Sequence, residues 1–420
     1  MHTAEPASAA LALENRGKAR AMVGRAFLAQ NVAVGSTFGG FGVSVLPLQQ
    51  KYGASAGATG LVLSLCVLVM GLSSPLVGTL IGRIGLRWTM IIGTVLSGVG
   101  YSALAFAPSM TAVLMLYAIP VGIGLAMFGP FPSSILASNW YAHNPGLALG
   151  IANTPLFVAL LPLIGMVIIR DHSLANFYLA LAGLHVLVLP VLIGVSDGPA
   201  DKAHMPDEHG HVTHAMLPSR SVLRNPKFWS MSLGAGFLGA VGVAGVSHLA
   251  PFAAERGILP EQSAALLSIM GGASVAGSLV VGILCTRLGA VRTLAVVALA
   301  LAVSWAVLLL TTAFSIMALA TLLLGACGAG VFPAVNILSG KLFGQGSLPR
   351  VIGLYGIVAL PITFSLPPLA GLLHDVMGNY FVVVATLIGG CAAVAALFAA
   401  TGGGSEGPVR HRPDPRSMPS

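Results

Sequence analysis

Twelve stretches of this chain stay apolar for roughly 20 residues, about the length a helix needs to cross the hydrocarbon core of a bilayer. They are 26–47, 58–82, 88–107, 110–138, 147–169, 174–195, 229–254, 262–286, 291–311, 314–340, 349–373 and 380–401. In lipid, backbone amides find no water, so a spanning segment must satisfy them internally as a helix or within a closed barrel. These runs are continuous rather than alternating, which excludes a strand barrel. Only 8% of the 420 residues are charged, against about 25% in an average soluble chain. The expected class is therefore an all-α integral membrane protein with 12 transmembrane helices.

The net charge of +8 could suggest nucleic acid, but its distribution argues otherwise. With the N-terminus inside and twelve crossings, the inner face holds Arg16, Lys18, Arg20, Arg25, Arg83, Arg87, Lys202, Arg220, Arg224, Lys227, Arg287, Arg292, Lys341, Arg350, Arg410, Arg412 and Arg416. Only Lys51, Arg170 and Arg256 fall outside. This is the positive-inside bias of a multi-pass protein. It predicts both termini in the cytoplasm and a cytoplasmic (inner) membrane location, with lipid rather than nucleic acid as the partner. The basic cluster at Arg16–Arg25 follows the small-residue stretch, the reverse of a cleavable signal, so the first span is expected to remain.

Two segments 204 residues apart are near copies. One reads Gly78-Thr-Leu-Ile-Gly-Arg83-Ile-Gly85-Leu-Arg87, the other Gly282-Ile-Leu-Cys-Thr-Arg287-Leu-Gly289-Ala-Val-Arg292. Pro155, Pro162 and Gly165 recur as Pro361, Pro368 and Gly371, each 206 residues on. Such repetition predicts two pseudo-symmetric six-helix bundles, with matching proline bends beside a central cavity. The expected organisation is an N-terminal tail 1–23, a bundle 24–195, a polar cytoplasmic linker 196–227, a bundle 228–401 and a tail 402–420.

The repeated loop resembles that of the major facilitator superfamily, Gly-x-x-x-Asp-Arg-x-Gly-Arg-Arg. Gly78, Arg83, Gly85 and Arg87 fit it, as do Gly282, Arg287 and Gly289; Gly82 and Thr286 stand where the family has Asp. The resemblance implies the major facilitator fold, and a gating role for these residues together with Arg292. Within that family the chain is similar to the monocarboxylate-porter and oxalate–formate-antiporter branch. The residues that carry this include Phe41-Gly42, Tyr52-Gly53-Ala54-Ser55, Asn139-Trp140, Pro226-Lys227-Phe228-Trp229 and Gly371-Leu-Leu-His374-Asp375-Val-Met-Gly-Asn-Tyr380. Members of that branch usually carry a cavity-facing cation in helix eight or eleven. Neither 268–278 nor 351–373 contains one.

No Lys, Arg, Asp or Glu lies near the middle of any span. A site in such an interior is expected to use neutral polar and aromatic groups, or to borrow charge from histidines, helix-end arginines or helix dipoles. The candidates for substrate binding are Asn31, Thr37 and Phe38 in the first span, Asn153 in the fifth, Phe332 and Asn336 in the tenth, and Tyr355 in the eleventh. His248, toward the outer end of the seventh span, is the candidate for proton coupling. His185 reads as packing. The linker histidines His204, His209, His211 and His214 lack a cysteine and sit beside Asp207 and Glu208, a solvated composition, and no metal site is expected. Cys66, Cys285, Cys327 and Cys391 lie in apolar runs without metal spacing.

These features predict a secondary active transporter that moves a small organic anion, a monocarboxylate by the resemblance, by alternating access. Coupling to a proton or exchange against a counter-anion would drive it. Export or uptake of a neutral or amphipathic compound, a drug or an aromatic metabolite, is the alternative that the uncharged interior favours. No phosphate-binding loop, catalytic dyad or cofactor motif is present, so neither ATP-driven pumping nor an enzyme is expected. The chain is expected to work as a monomer.

Overall fold

The computed structural model describes residues 5–141, 145–198 and 217–401, and among these every regular element is helical. Eleven helices are long and apolar enough to span a membrane, and the longest, Ala56–Ala105, runs for 50 residues. At about 1.5 Å per residue it would reach far beyond a bilayer of about 30 Å. It is in fact two helices. Gly85 lies between them at φ 82° and ψ 167°, a conformation that a side chain would oppose. Tyr52, just before the first of the pair, donates its hydroxyl to Ala107 O just after the second, at 2.7 Å. The chain therefore goes out and comes back, and the crossings number twelve.

We label them α1 (Gly17–Tyr52), α2 (56–84), α3 (86–105), α4 (Met110–Trp140), α5 (Leu147–Asp171), α6 (Leu174–Ile193), α7 (Pro226–Glu255), α8 (Pro260–Leu288), α9 (Ala290–Leu310), α10 (Phe314–Phe343), α11 (Leu348–Met377) and α12 (Phe381–Thr401). Each overlaps one of the twelve sequence-predicted runs. Residues 199–216, which include the four linker histidines, lie outside the described residues, as do the tail arginines after 401. One end of the bundle carries both borders of this linker and is called the linker end below. The opposite end is called the far end.

The duplication is visible in local geometry. Gly289 repeats Gly85, at φ 86° and ψ 153°. Each glycine's carbonyl accepts a hydroxyl one turn later: Thr89 Oγ1 donates to Gly85 O at 2.8 Å and Thr293 Oγ1 to Gly289 O at 2.7 Å. The matching prolines sit in unlike backbone. α5 is interrupted, with helix at Pro145–Ala152 and again from Leu156, whereas α11 runs unbroken through Pro361, Pro367 and Pro368. The difference lies in what receives the freed backbone groups. At α5 a side chain from α1 takes them, as described next.

α1 itself changes to a wider π turn over Gly35–Gly39. Such bulges concentrate at functional sites. Here the turn lies directly on the restart of α5. A side-chain carbon at Gly35 would collide with Phe157, and one at Gly39 would sit 3.1 Å from Phe157 O.

Candidate substrate cavity and gates

The two bundles touch at the far end and part toward the linker end. On α2, Gly60 lies so near α11 that a Cβ would come within 2.7 Å of Pro367 O, and on α11 Gly371 is pressed on the backbone of Ala56. On α8, Gly271 is pressed on Val158 of α5, with a Cβ 2.6 Å from its carbonyl oxygen. Halfway along, Gly71 of α2 still meets Leu360 of α11. Beyond that point the same faces separate. Pro75, Gly78 and Gly82 on α2 are exposed, as are Gly353, Gly356 and Ile357 on α11, and Ile357 is 70% exposed. No atom lies within 4 Å of where a Cβ would stand on Gly353 or Gly356. The result is a cleft between the halves, closed at the far end.

The structure divides the predicted substrate residues into two groups. Asn31, Thr37 and Asn153 have their donors engaged within the N-terminal bundle. Asn31 is fully buried; its amide donates to Phe27 O and Thr154 O, both at 2.9 Å, and its carbonyl accepts from Phe157 N at 2.8 Å. It fastens both sides of the α5 break to α1. Thr37 is buried with its hydroxyl 3.4 Å from that of Tyr101. Asn153 donates to Ser134 Oγ and Leu149 O, both at 3.0 Å, tying α5 to α4. With both amide protons used, it offers an incoming ligand only an acceptor.

Asn336 and Tyr355 are different. Asn336 gives one N–H to Phe332 O one turn earlier, at 3.0 Å, which leaves a second donor and the carbonyl oxygen. Tyr355 is half-buried, and its hydroxyl makes no hydrogen bond among the described residues. The two stand on α10 and α11, which pack together. Phe332 is 55% exposed, and Phe38 is half-buried on the π turn of α1.

His248 does not open into the cleft. It is buried at the far-end junction. Its Nε2 lies 2.8 Å from Pro367 O and its Nδ1 3.2 Å from Tyr380 Oη. A carbonyl only accepts, so Nε2 carries a hydrogen, and Nδ1 shares a hydrogen bond with the phenol, which can donate or accept. Burial, with the negative charges of Glu255 and Asp375 nearby, pushes the Tyr380 phenol above its ordinary range, so it stays neutral. His248 thus bridges α7 to α11 and to the start of α12. His185 is packing, as expected: buried, bonded to Leu181 O at 2.8 Å, with its ring against Tyr101 and Phe128.

The repeated loop motif does not clamp one half to the other in this conformation. Arg87 Nε donates to Val195 O at 2.7 Å, inside its own bundle. Arg83, Arg287 and Arg292 are exposed and make no hydrogen bond or ion pair among the described residues. The acid that Gly82 lacks is supplied from elsewhere. Asp197, just past α6, accepts from Leu86 N at 3.1 and 3.2 Å and so caps α3. Asn139 and Trp140 hold the backbone of that same segment, at Asp197 O and Ser196 O.

At the far end lies a cluster that the sequence reading passed over. Asp375 of α11 accepts from Ala56 N and Gly57 N of α2, both at 2.9 Å. Beside it, His374 Nε2 is 3.3 Å from Glu255 of α7. Glu255 also accepts from Tyr380 N at 3.2 Å. Arg170 of α5 lies 3.8 Å from Glu261 of α8, a second and looser tie between the halves. The sequence signal for it is the clustering of His374, Asp375 and Tyr380 within seven residues at the end of α11.

Two six-helix bundles around a cleft closed at one end define a membrane transporter. A model of the Major Facilitator Superfamily matches residues 26–359 and again 253–418. The chain belongs to the major facilitator superfamily and is a secondary transporter, not an enzyme. Monocarboxylate transporter 6 of Homo sapiens is 24% identical over 381 residues, which cover 84% of this chain and 75% of that protein. Monocarboxylate transporter 10 of Mus musculus is 25% identical over 323 residues, covering 73% and 62% respectively. Relation to the monocarboxylate-porter branch is thus supported across most of the chain. Among solved structures, a bacterial homolog of the human lysosomal transporter Spinster, inward-facing and unoccupied, aligns with a TM-score of 0.66 at 16% identity, over 92% of this chain and 94% of that one. The nucleoside transporter NupG aligns with a TM-score of 0.73 at 12% identity, over 92% and 100%. These likenesses concern the fold.

Proposed function

We propose that this transporter carries a small organic anion of the monocarboxylate class, by rocking of its two halves about the cleft. The single observation that carries the reading is an ion-free middle that holds unengaged neutral donors, with cations gathered at its open mouth. Asn336 and Tyr355 are the neutral donors left over for a ligand. Among described residues, Lys18, Arg20, Arg25, Arg83, Arg87, Arg220, Arg224, Lys227, Arg287, Arg292, Lys341 and Arg350 gather at the linker end, where they outnumber the acids Glu5, Glu14 and Asp197. Such a field draws an anion toward the open mouth. The names of the curated relatives agree with the class.

In this reading the linker end and both termini face the cytoplasm, the bilayer is the cytoplasmic (inner) membrane, and a monomer suffices. Movement of a co-transported proton or exchange for a second anion supplies the driving force. Asn336 and Tyr355 bind the carboxylate while Phe332 and Phe38 line the apolar side. Asn31, Thr37 and Asn153 shape the opposite wall by holding α1, α4 and α5. The arginines of the repeated loop act when the linker end closes.

The absence of a fixed cation midway favours a second reading, a neutral or amphipathic substrate. Proteoliposomes separate the two. A labelled short-chain monocarboxylate should accumulate, with competition from unlabelled acid and none from its uncharged amide. Equal competition by the amide would favour the neutral substrate.

A further inference from the structure

His374 stands between two acids. Its Nε2 is 3.3 Å from Glu255 Oε2 and its Nδ1 3.6 Å from Asp375 Oδ1. Carboxylate oxygens only accept, so only a doubly protonated ring turns an N–H toward each. In the neutral ring one nitrogen lone pair must face a carboxylate. Nδ1 is also buried and has no hydrogen-bond partner. The ring lies on Tyr380, with centroids 4.2 Å apart.

This trio sits at the closed gate, because Asp375 is the residue that grips α2 through Ala56 N and Gly57 N. The other groups facing it do not neutralise it. Arg256, next to Glu255, is turned away, with its guanidinium on Leu309 O and over the Phe252 ring. Tyr380 is a neutral phenol, and His248 behind it bridges Pro367 O and Tyr380 Oη. With His374 neutral, the closed gate would hold the carboxylates of Glu255 and Asp375 on either side of one uncharged ring with no facing cation. Both carboxylates are only partly withdrawn from water in the closed gate, with side chains 37% and 25% exposed. A pair of like charges there without a counter-charge is less favourable than in an open gate that hydrates both more fully.

We propose that His374 is a proton-binding site that controls the far-end gate. A proton on its ring closes the gate around Asp375 and the start of α2; its loss opens the gate. The inference rests on the rocking-bundle reading above and adds to it the ion that the gate senses. It assigns this role to a residue other than His248. The sign follows from charge alone. The closed gate is stabilised by the protonated ring, so closure is favoured at low pH and weakens as pH rises.

The test measures a far-end distance. Spin labels go on Phe106→Cys and Leu310→Cys, exposed far-end sites in opposite halves, in full-length protein whose four buried cysteines are replaced by serine. In lipid nanodiscs without substrate, the label pair should shift from a short to a longer distance between about pH 5 and about pH 8, the range over which histidine is the switch. His374→Gln should give the longer distance throughout, with no pH response. His374→Arg, permanently charged, should restore the short distance at both pH values. A pH-independent distance in the parent, or an intact pH response in His374→Gln, overturns the proposal. Either result leaves the transport reading standing, because that is tested by uptake and by substrate-dependent accessibility at one fixed pH.

Discussion

Asn31 accepts the backbone N–H of Phe157 at 2.8 Å across 126 residues of sequence. The interrupted α5 needs this bond. Residues 153–155 leave the helix, and their neighbours lose intrahelical partners inside a membrane protein. Asn31→Ala removes one acceptor and two donors at once. Each buried group left unpaired costs about 1–3 kcal/mol. The variant should melt well below the parent in detergent, while folded protein keeps its ligand midpoint. Lost ligand response at unchanged thermal stability would instead return Asn31 to the binding site.

Asn336 and Tyr355 should behave in the opposite way. A hydrogen bond to a charged group contributes about 1.5–3 kcal/mol. Asn336→Ala and Tyr355→Phe should each weaken binding of the carboxylate about tenfold or more, with melting temperature of the empty protein unchanged. Thermal stabilisation by added acid reads this directly. An unchanged midpoint in both variants would remove them from the site.

How much of this was legible in advance depends on the physics involved. The twelve crossings and the duplication follow from hydropathy and spacing, and Gly85 with Gly289 shows why: both need the same positive φ, which the repeated sequence encodes. The roles of Asn31 and Asn153 were not legible. An amide in a span reads the same whether it faces a ligand or a broken helix, and only the break at Pro155 decides. The packing partners of His248 were equally hidden, since Pro367 and Tyr380 lie 119 and 132 residues away. The missing motif acid was found at Asp197 because the capping need is local in space, not in sequence.

The close approach of Gly371 to Ala56 gives a third prediction. A methyl group there has no room while the far end is closed. Gly371→Ala should hold the halves apart at that end and abolish net uptake, with the protein still folded. The same spin-label pair should report the longer distance. Uptake at the parent rate would show that the far end is not a gate.

Asp197→Ala tests a structural role. The loss of a helix cap costs about 1 kcal/mol. Thermal stability should fall by that order, and Gly82→Asp, which restores the family's acid beside the same turn, should recover part of it. Substrate affinity should not move, and a change in affinity without a change in stability would contradict the assignment.

The central claim is that the cleft between α2 and α11 is open at the linker end and is where the substrate binds. Ile357 lies on that cleft and is 70% exposed. Ile357→Cys, in protein with its four buried cysteines replaced, should react with a membrane-impermeant thiol reagent applied to the linker side. A saturating monocarboxylate should slow the reaction severalfold, and its amide should not. Failure to label from the linker side, or labelling at a rate the acid does not change, would contradict the account.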